Sequence, residues 1–239
     1  MTDERLAELA ESLAEVRARL EVACRAAGRA ASEVTLVAIS KTWPAADILR
    51  LVSLGLTDFG ESYDREAATK AAALDAAGAA VRWHYVGRLQ RNKCRSVASY
   101  ASVVQSVDRL EVAVALAAGA ARAGRELGVL VQVSLDPVPA EPGSARGGCP
   151  PDEALALASR VSALQGLTVC GVMAVAPRAG GARAAFARLR EVSEALRVEH
   201  PGADIVSAGM SGDLEEAIAE GATHVRVGTA LFGARGADG

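Results

Sequence analysis

Lysine is scarce in this 239-residue chain: three residues, at 41, 70 and 93, stand against twenty-three arginines. Lys41 ends the apolar run Val34–Ile39 in the stretch "LVAISKTWP". Arginine could replace it for solubility, but only an amine condenses with a carbonyl to form a Schiff base. That reaction is favoured where the amine is desolvated or close to other cations. A second candidate is Arg226, set between two valines in "THVRVGTALFG". A charge inside such a run must be paired or serve a ligand. Period-two alternation points His224 the same way as Arg226, and a satisfied core histidine accounts for it better than a catalyst does.

Two segments suit an anion. "SAGMSGDLEEAI" leads an apolar run through a glycine-containing turn to a helix start, with Ser211 expected as N-cap and Asp213 and Leu214 in the first turn. Free N–H groups and the helix dipole favour negative charge at such a place. "VGTALFG" offers a second set of backbone N–H groups. Simple helix capping explains either segment alone. Together with a strand-end lysine and a buried arginine they suit a phosphorylated aldehyde, and pyridoxal 5′-phosphate (PLP) has all the required parts. An arginine facing its pyridine nitrogen only donates, so it leaves that nitrogen unprotonated and the ring a weaker electron sink.

The elements that must position these residues follow from hydrophobic pattern. An amphipathic helix is expected over about 3–28, with Leu6, Leu9, Leu13, Val16, Leu20 and Val22/Ala23 on one face. Apolar runs then fall at 34–39, 57–59, 82–86, 102–106, 129–135, 167–172, 204–207 and 223–227. Helical stretches fill the intervals at about 44–54, 62–78, 90–98, 108–124, 151–164, 181–199 and 211–220. Runs such as "VTLVAI" and "GVLVQVSL" are continuous rather than alternating, as in strands buried on both faces. Eight alternating βα units predict an α/β fold, a single (β/α)8 TIM-type barrel over 1–239 with the N-terminal helix (1–30) packed on it. A doubly wound open sheet is the alternative. The barrel gathers strand-end residues on one rim: Lys41, Gly60–Ser62, His84 with Gly87, Ser106, Ser134, Met173, Ser207, and Gly228 with Thr229. Phosphates in such barrels are often held by the loops after strands seven and eight. The Pro/Gly-rich segment Asp136–Pro151 is the longest without structural pattern and would lie on that rim.

Composition narrows the class. A formal net charge of -3 argues against nonspecific nucleic-acid binding. No run of about eighteen apolar residues is present, so no membrane span is expected, and the acidic N-terminus lacks the pattern of a signal peptide. The cysteines at 24, 94, 149 and 170 form no CxxC and read as reduced thiols of a cytoplasmic protein. Cys170 is expected in the core and Cys149 in an exposed loop. The run "RLQRNKCR" reads as a solvated basic face.

The blocks "VAISKTWP", "DFGESY", "WHYVGRLQRNK", "SVDRLEVA", "GVMAVAP" and "SAGMSGDLEEAIAEGATHVRVGTALFGAR", in this order, resemble the pyridoxal phosphate homeostasis protein family over about 34–235. The resemblance implies a barrel like the N-terminal domain of alanine racemase, of PLP fold type III. It implies Lys41 as the Schiff-base lysine and Arg226 opposite the pyridine nitrogen. It implies Ser207, Gly228 and Thr229 at the phosphate, with Met210 and Ser211 nearby, and Ser62 and His84 beside the cofactor. Ser62 stands where the family usually has Asn, Ala208 where it has Met, and the loop "EPGSARGG" lacks the usual lysine.

The implied function is intracellular PLP homeostasis, holding the cofactor on Lys41 without substantial turnover, with PLP-dependent apo-enzymes as possible recipients. The chain is expected to act as a monomer. A PLP-dependent amino-acid racemase, with His84, Tyr63 or Lys93 as second proton carrier, is the alternative. The chain's end just after the barrel, at "LFGARGADG", argues against the second domain that such racemases use. A phosphosugar aldolase would leave Arg226 unexplained.

Overall fold

The β-branched and apolar runs do form strands, and those strands close on themselves. In the computed structural model, which describes residues 3–136, 147–178 and 180–233, they are β1 (Thr35–Ile39), β2 (Asp58–Glu61), β3 (Arg82–Tyr85), β4 (Val103–Val107), β5 (Leu127–Gln132), β6 (Leu167–Met173), β7 (Ile205–Ser207) and β8 (His224–Val227). Each pairs in parallel with its sequence neighbour, and β8 pairs back onto β1 with Val37 opposite Arg226. The closed barrel rules out the open sheet. A parallel connection needs a crossover, and helices supply it. After the N-terminal α1 (Glu4–Ala26) these are α2 (Ala45–Ser53), α3 (Asp64–Ala76), α4 (Cys94–Tyr100), α5 (Leu110–Ala123), α6 (Ala154–Ser162), α7 (Ala182–Glu199) and α8 (Leu214–Ala219). A last turn, α9 (Thr229–Phe232), follows β8 and was not expected.

Helix α1 buries Leu9, Leu13, Val16, Leu20 and Ala23 along one stripe, against α2, α8 and α9. Each fully buried leucine or valine contributes roughly 1.5–3 kcal/mol. Its first turn also reaches the rim. Arg5 bonds Asp47 at 2.9 Å and the Phe232 carbonyl at 2.9 Å, and its guanidinium lies 5.1 Å from the Trp43 ring centroid. Trp43 in turn stacks on Phe232 at 5.6 Å. The loop after β1 and the turn after β8 are thereby tied together, two residues from Lys41.

Several expectations change. Strand β2 runs two residues further than expected, so Gly60 and Glu61 lie inside the strand and only Ser62 reaches the rim. Gly60 leaves room there for Ile39, whose Cδ1 would lie 2.4 Å from a Cβ. Met173 is the last residue of β6 rather than beyond it. Of the segment Asp136–Pro151, residues 137–146 lie outside the described residues. The two cysteine expectations are reversed. Cys149 is buried because it forms a parallel bridge with Val133 beside the end of β5, donating to the Gln132 carbonyl. Cys170 is only half-buried.

Candidate functional site

Lys41 sits in the turn just after β1, half-buried. Its ammonium has no hydrogen bond or ion pair among the described residues. The other two lysines differ. Lys70 is buried and bonded to the Ser40 carbonyl, Glu61 and Glu66. Lys93 is exposed and lies 3.9 Å from Asp64. Thr42, directly after Lys41, has φ 69°, the one positive value at a non-glycine among the described residues. Left-handed backbone at a non-glycine costs free energy and persists where neighbours impose it.

Arg226 is buried in the barrel interior. Its Nη1 donates to Ser207 Oγ at 2.7 Å and its Nη2 to the Ala174 carbonyl at 2.8 Å, so the guanidinium reaches the carboxyl-terminal ends of β6 and β7. No carboxylate pairs with it among the described residues. Burial pushes its pKa down to about 10.

From Arg226 a chain of hydrogen bonds crosses the barrel. Ser207 Oγ donates to Gln105 Oε1 at 2.7 Å. Gln105 Nε2 and His84 Nδ1 lie 2.9 Å apart, and His84 Nε2 and Asp58 Oδ1 lie 2.9 Å apart. The roles assigned to the amide and ring atoms make one consistent direction: each group donates to the next, ending on the Asp58 carboxylate. Burial pushes Asp58 up, but the bonds from His84 and Thr57 outweigh it and hold its carboxyl below the usual value. His224 faces the same interior, its ring centroid 6.0 Å from that of His84. Burial, helped by His84, lowers its pKa to about 4.

The anion segments take a different form from that expected. Helix α8 begins at Leu214 with Asp213 at the N-cap position, and Ser211 remains in the preceding turn. The reason is local: Asp213 Oδ1 accepts from the Met210 N–H at 2.6 Å and closes the turn itself. Gly209 makes that turn possible with φ 89°, where a Cβ would meet Ala217 Cβ at 2.7 Å. The N–H groups of Ser211, Gly212 and Gly228 find no acceptor among the described residues. Met210 and Thr229 are exposed beside them.

Two larger cavities adjoin the rim near β2. One, of about 730 Å³, is lined by Ser62, Tyr63, Asp64, Arg65, Tyr85, Gly87, Arg88, Leu89, Gln90, Lys93 and Arg109. The Ser62 carbonyl is fixed in its wall by Tyr85 Oη, at 3.2 Å, and by Gly87, whose Cβ would lie 2.4 Å from that oxygen. The other, of about 700 Å³, lies beside Thr42, Trp43 and Glu66. Residues 88, 91, 93 and 95 are exposed, as a solvated basic face would be.

The structure thus brings Arg226, Ser207 and His84 into one network. Lys41, Ser62, Ser211, Gly228 and Thr229 stand at strand ends around the same mouth. Two of these side chains have their polar atoms engaged within the protein. The Ser207 hydroxyl is engaged by Arg226 and Gln105, and both His84 nitrogens are engaged by Gln105 and Asp58, with the ring 1 % exposed. Gln105, Asp58, Glu61 and Lys70 were missed. The available signal was their polarity within apolar runs: "VVQSV" for Gln105 and "DFGE" for Asp58 and Glu61.

A closed parallel (β/α)8 barrel with a strand-one lysine and a strand-eight arginine defines the class. The family model described as alanine racemase, N-terminal domain, matches residues 12–236. A pyridoxal phosphate homeostasis protein from Pseudomonas aeruginosa is 45% identical over 234 residues, covering 96% of this chain and 97% of that protein. The structure of PipY from Synechococcus elongatus with PLP bound superposes with a TM-score of 0.80 at 34% identity, covering 94% of this chain and 100% of that one. The crystal structure of an unknown protein from Bifidobacterium adolescentis gives 0.86 at 29% identity, covering 97% of each chain. The chain belongs to the pyridoxal phosphate homeostasis protein family. Among the described residues no helix is long and apolar enough to cross a membrane.

Proposed function

We propose that this chain holds pyridoxal 5′-phosphate as a Schiff base on Lys41 and serves cytoplasmic cofactor homeostasis without substantial turnover. The observation that carries the reading is a pair of cations without carboxylate partners among the described residues: Lys41 at the barrel mouth and the buried Arg226 guanidinium. A buried charge left without a counterion is costly unless a ligand completes it. The donor set fits the cofactor. When bound, PLP supplies an aldehyde for the amine, a ring nitrogen that accepts a hydrogen bond, and a phosphate. Arg226 meets the nitrogen as a donor, and the N–H groups of Ser211, Gly212 and Gly228, with Thr229, receive the phosphate. Met210 and Ser62 flank the ring. Ser207 and His84 act behind Arg226, through Gln105, to hold its orientation. The family members carrying the homeostasis name, and PLP in the PipY structure, favour the same reading.

A racemase needs a second proton carrier facing the first. His84 is poorly suited, because both of its nitrogens are engaged and the ring is closed from solvent. Tyr63 and Lys93 line the neighbouring cavity instead. The exposed large apolar residues Val22, Leu49, Tyr63, Val114, Val198 and Met210 come from six separate segments, which suits a monomer. PLP-dependent apo-enzymes are the recipients this reading implies. The test is the visible absorbance of protein mixed with PLP, wild type beside Lys41→Ala. A yellow Schiff-base band in the wild type alone is expected; the same band in both overturns the assignment. Uptake of deuterium at the α-carbon of an amino acid in heavy water, dependent on Lys41, would favour the racemase.

A further inference from the structure

We infer that Glu66 and Lys70 of α3, backed by Glu61, form a positioning device for the Lys41 amine; this rests on the reading of Lys41 given above. The two peptide groups that flank Lys41 are both held by α3. On one side, Lys70 Nζ donates to the Ser40 carbonyl at 2.7 Å. On the other, the Thr42 N–H donates to Glu66 Oε1 at 2.5 Å. The two holding residues are themselves joined, Lys70 Nζ to Glu66 Oε1 at 2.6 Å, four residues apart on one helix face. Glu61 anchors the pair from β2: its Oε1 accepts from Lys70 at 2.7 Å and from Ser40 Oγ at 2.7 Å.

This arrangement exceeds what the fold needs. The Trp43 N–H already closes the turn on the Ser40 carbonyl at 3.0 Å. Beyond that closure, Lys70 and Glu61 are taken out of water, at 6% and 0% exposure, and Glu61 Oε2 has no hydrogen-bond partner among the described residues. Thr42 stands left-handed beside the amine, its N–H held by Glu66 within that turn. Clamping both peptide planes sets the direction of the Lys41 Cα–Cβ bond, and with it the arc that Nζ can sweep. Condensation joins the Lys41 nitrogen to the aldehyde carbon and releases the aldehyde oxygen as water. Its rate and extent depend on where the amine stands relative to a phosphate-anchored ring. A misplacement of about 1 Å costs on the order of 10²-fold in such a reaction.

The experiment separates the amine from the rest of the pocket. Pyridoxine 5′-phosphate has the ring and phosphate of PLP but no aldehyde, so its binding reports the pocket alone. Binding of both ligands is measured for wild type, Glu66→Ala and Glu66→Gln. In parallel, the rate at which hydride reduction traps PLP on Lys41 is measured. In Glu66→Ala the trapping rate falls roughly ten-fold or more, while the dissociation constant for pyridoxine 5′-phosphate stays within about two-fold. Glu66→Gln keeps an acceptor for the Thr42 N–H and recovers most of the rate. Wild-type trapping by Glu66→Ala overturns the proposal. So does equal weakening of both ligands, which is what a merely structural role produces. If wild type binds pyridoxine 5′-phosphate but traps no PLP on Lys41, the reading of Lys41 fails first and this one with it.

Discussion

Replacing Arg226 with methionine should leave the unliganded protein about as stable as before while weakening its hold on the cofactor. The guanidinium is buried, and burial, partly opposed by Asp213, lowers its pKa from the ordinary arginine value to about 10. That difference corresponds to roughly 3 kcal/mol held against folding at neutral pH. Methionine removes this cost and fills a similar volume. Against the gain stand two lost donors. The Ala174 carbonyl loses the bond from Nη2, which costs about 1–3 kcal/mol if that oxygen stays buried and unpaired. Ser207 Oγ loses the bond from Nη1 but still donates to Gln105. The terms nearly cancel, so the variant should lie within about 1 kcal/mol of wild type, or about 4 °C in melting temperature for a chain of this size. The cofactor side does not cancel. A hydrogen bond from a charged donor contributes about 1.5–3 kcal/mol, so PLP binding should weaken by roughly ten- to hundred-fold. Thermal unfolding without ligand and fluorescence titration with PLP make the comparison. An unliganded variant more than about 3 kcal/mol less stable would make Arg226 a structural charge, and unchanged PLP affinity would remove it from the site.

The interior network predicts a pH effect. Folded His224 is held near 4 against an ordinary 6.5, so between those values the unfolded chain binds the extra proton and stability falls as pH drops through that window. From pH 7 to pH 5 the loss should be about 1–2 kcal/mol, at the lower end where solvent reaches the ring, and urea melts of His224→Gln should show a shallower decline. Gln105→Leu should cost about 2–5 kcal/mol in urea unfolding, because it strips partners from both the Ser207 hydroxyl and His84 Nδ1 in the core; a loss under about 1 kcal/mol would mean that the chain of bonds is not cooperative. Cys170 should be the thiol that a disulfide reagent modifies first in the native protein, since Cys24, Cys94 and Cys149 are buried and burial pushes Cys149 up to about 12; prior labelling of Cys149 would contradict that packing.

The barrel was legible because parallel strands covered on both faces are mostly apolar along their length, as "VTLVAI" is. Lys41 and Arg226 stood out as candidates by residue type alone: one rare amine at a strand end, one charge between valines. Partnerships were not. Ser207 meets Gln105 across 102 residues of sequence, and no local pattern tells whether a strand polar residue faces a ligand or another side chain. Hence the bonds of the Ser207 hydroxyl to Gln105 and Arg226 could not be foreseen. Helix starts were misjudged where a turn closes on itself, as Asp213 does with Met210. Glu66 and Lys70 look in sequence like an ordinary exposed i,i+4 pair, and only the backbone of Thr42 packed against them reveals a different use.

The most direct measurement is hydride reduction of the PLP-loaded protein followed by peptide mass spectrometry. A single stoichiometric adduct is expected on the peptide carrying Lys41, with Lys70 shielded by burial and its three hydrogen bonds. An adduct on Lys93 or Lys70 in place of Lys41, or none in protein that retains PLP, would contradict it.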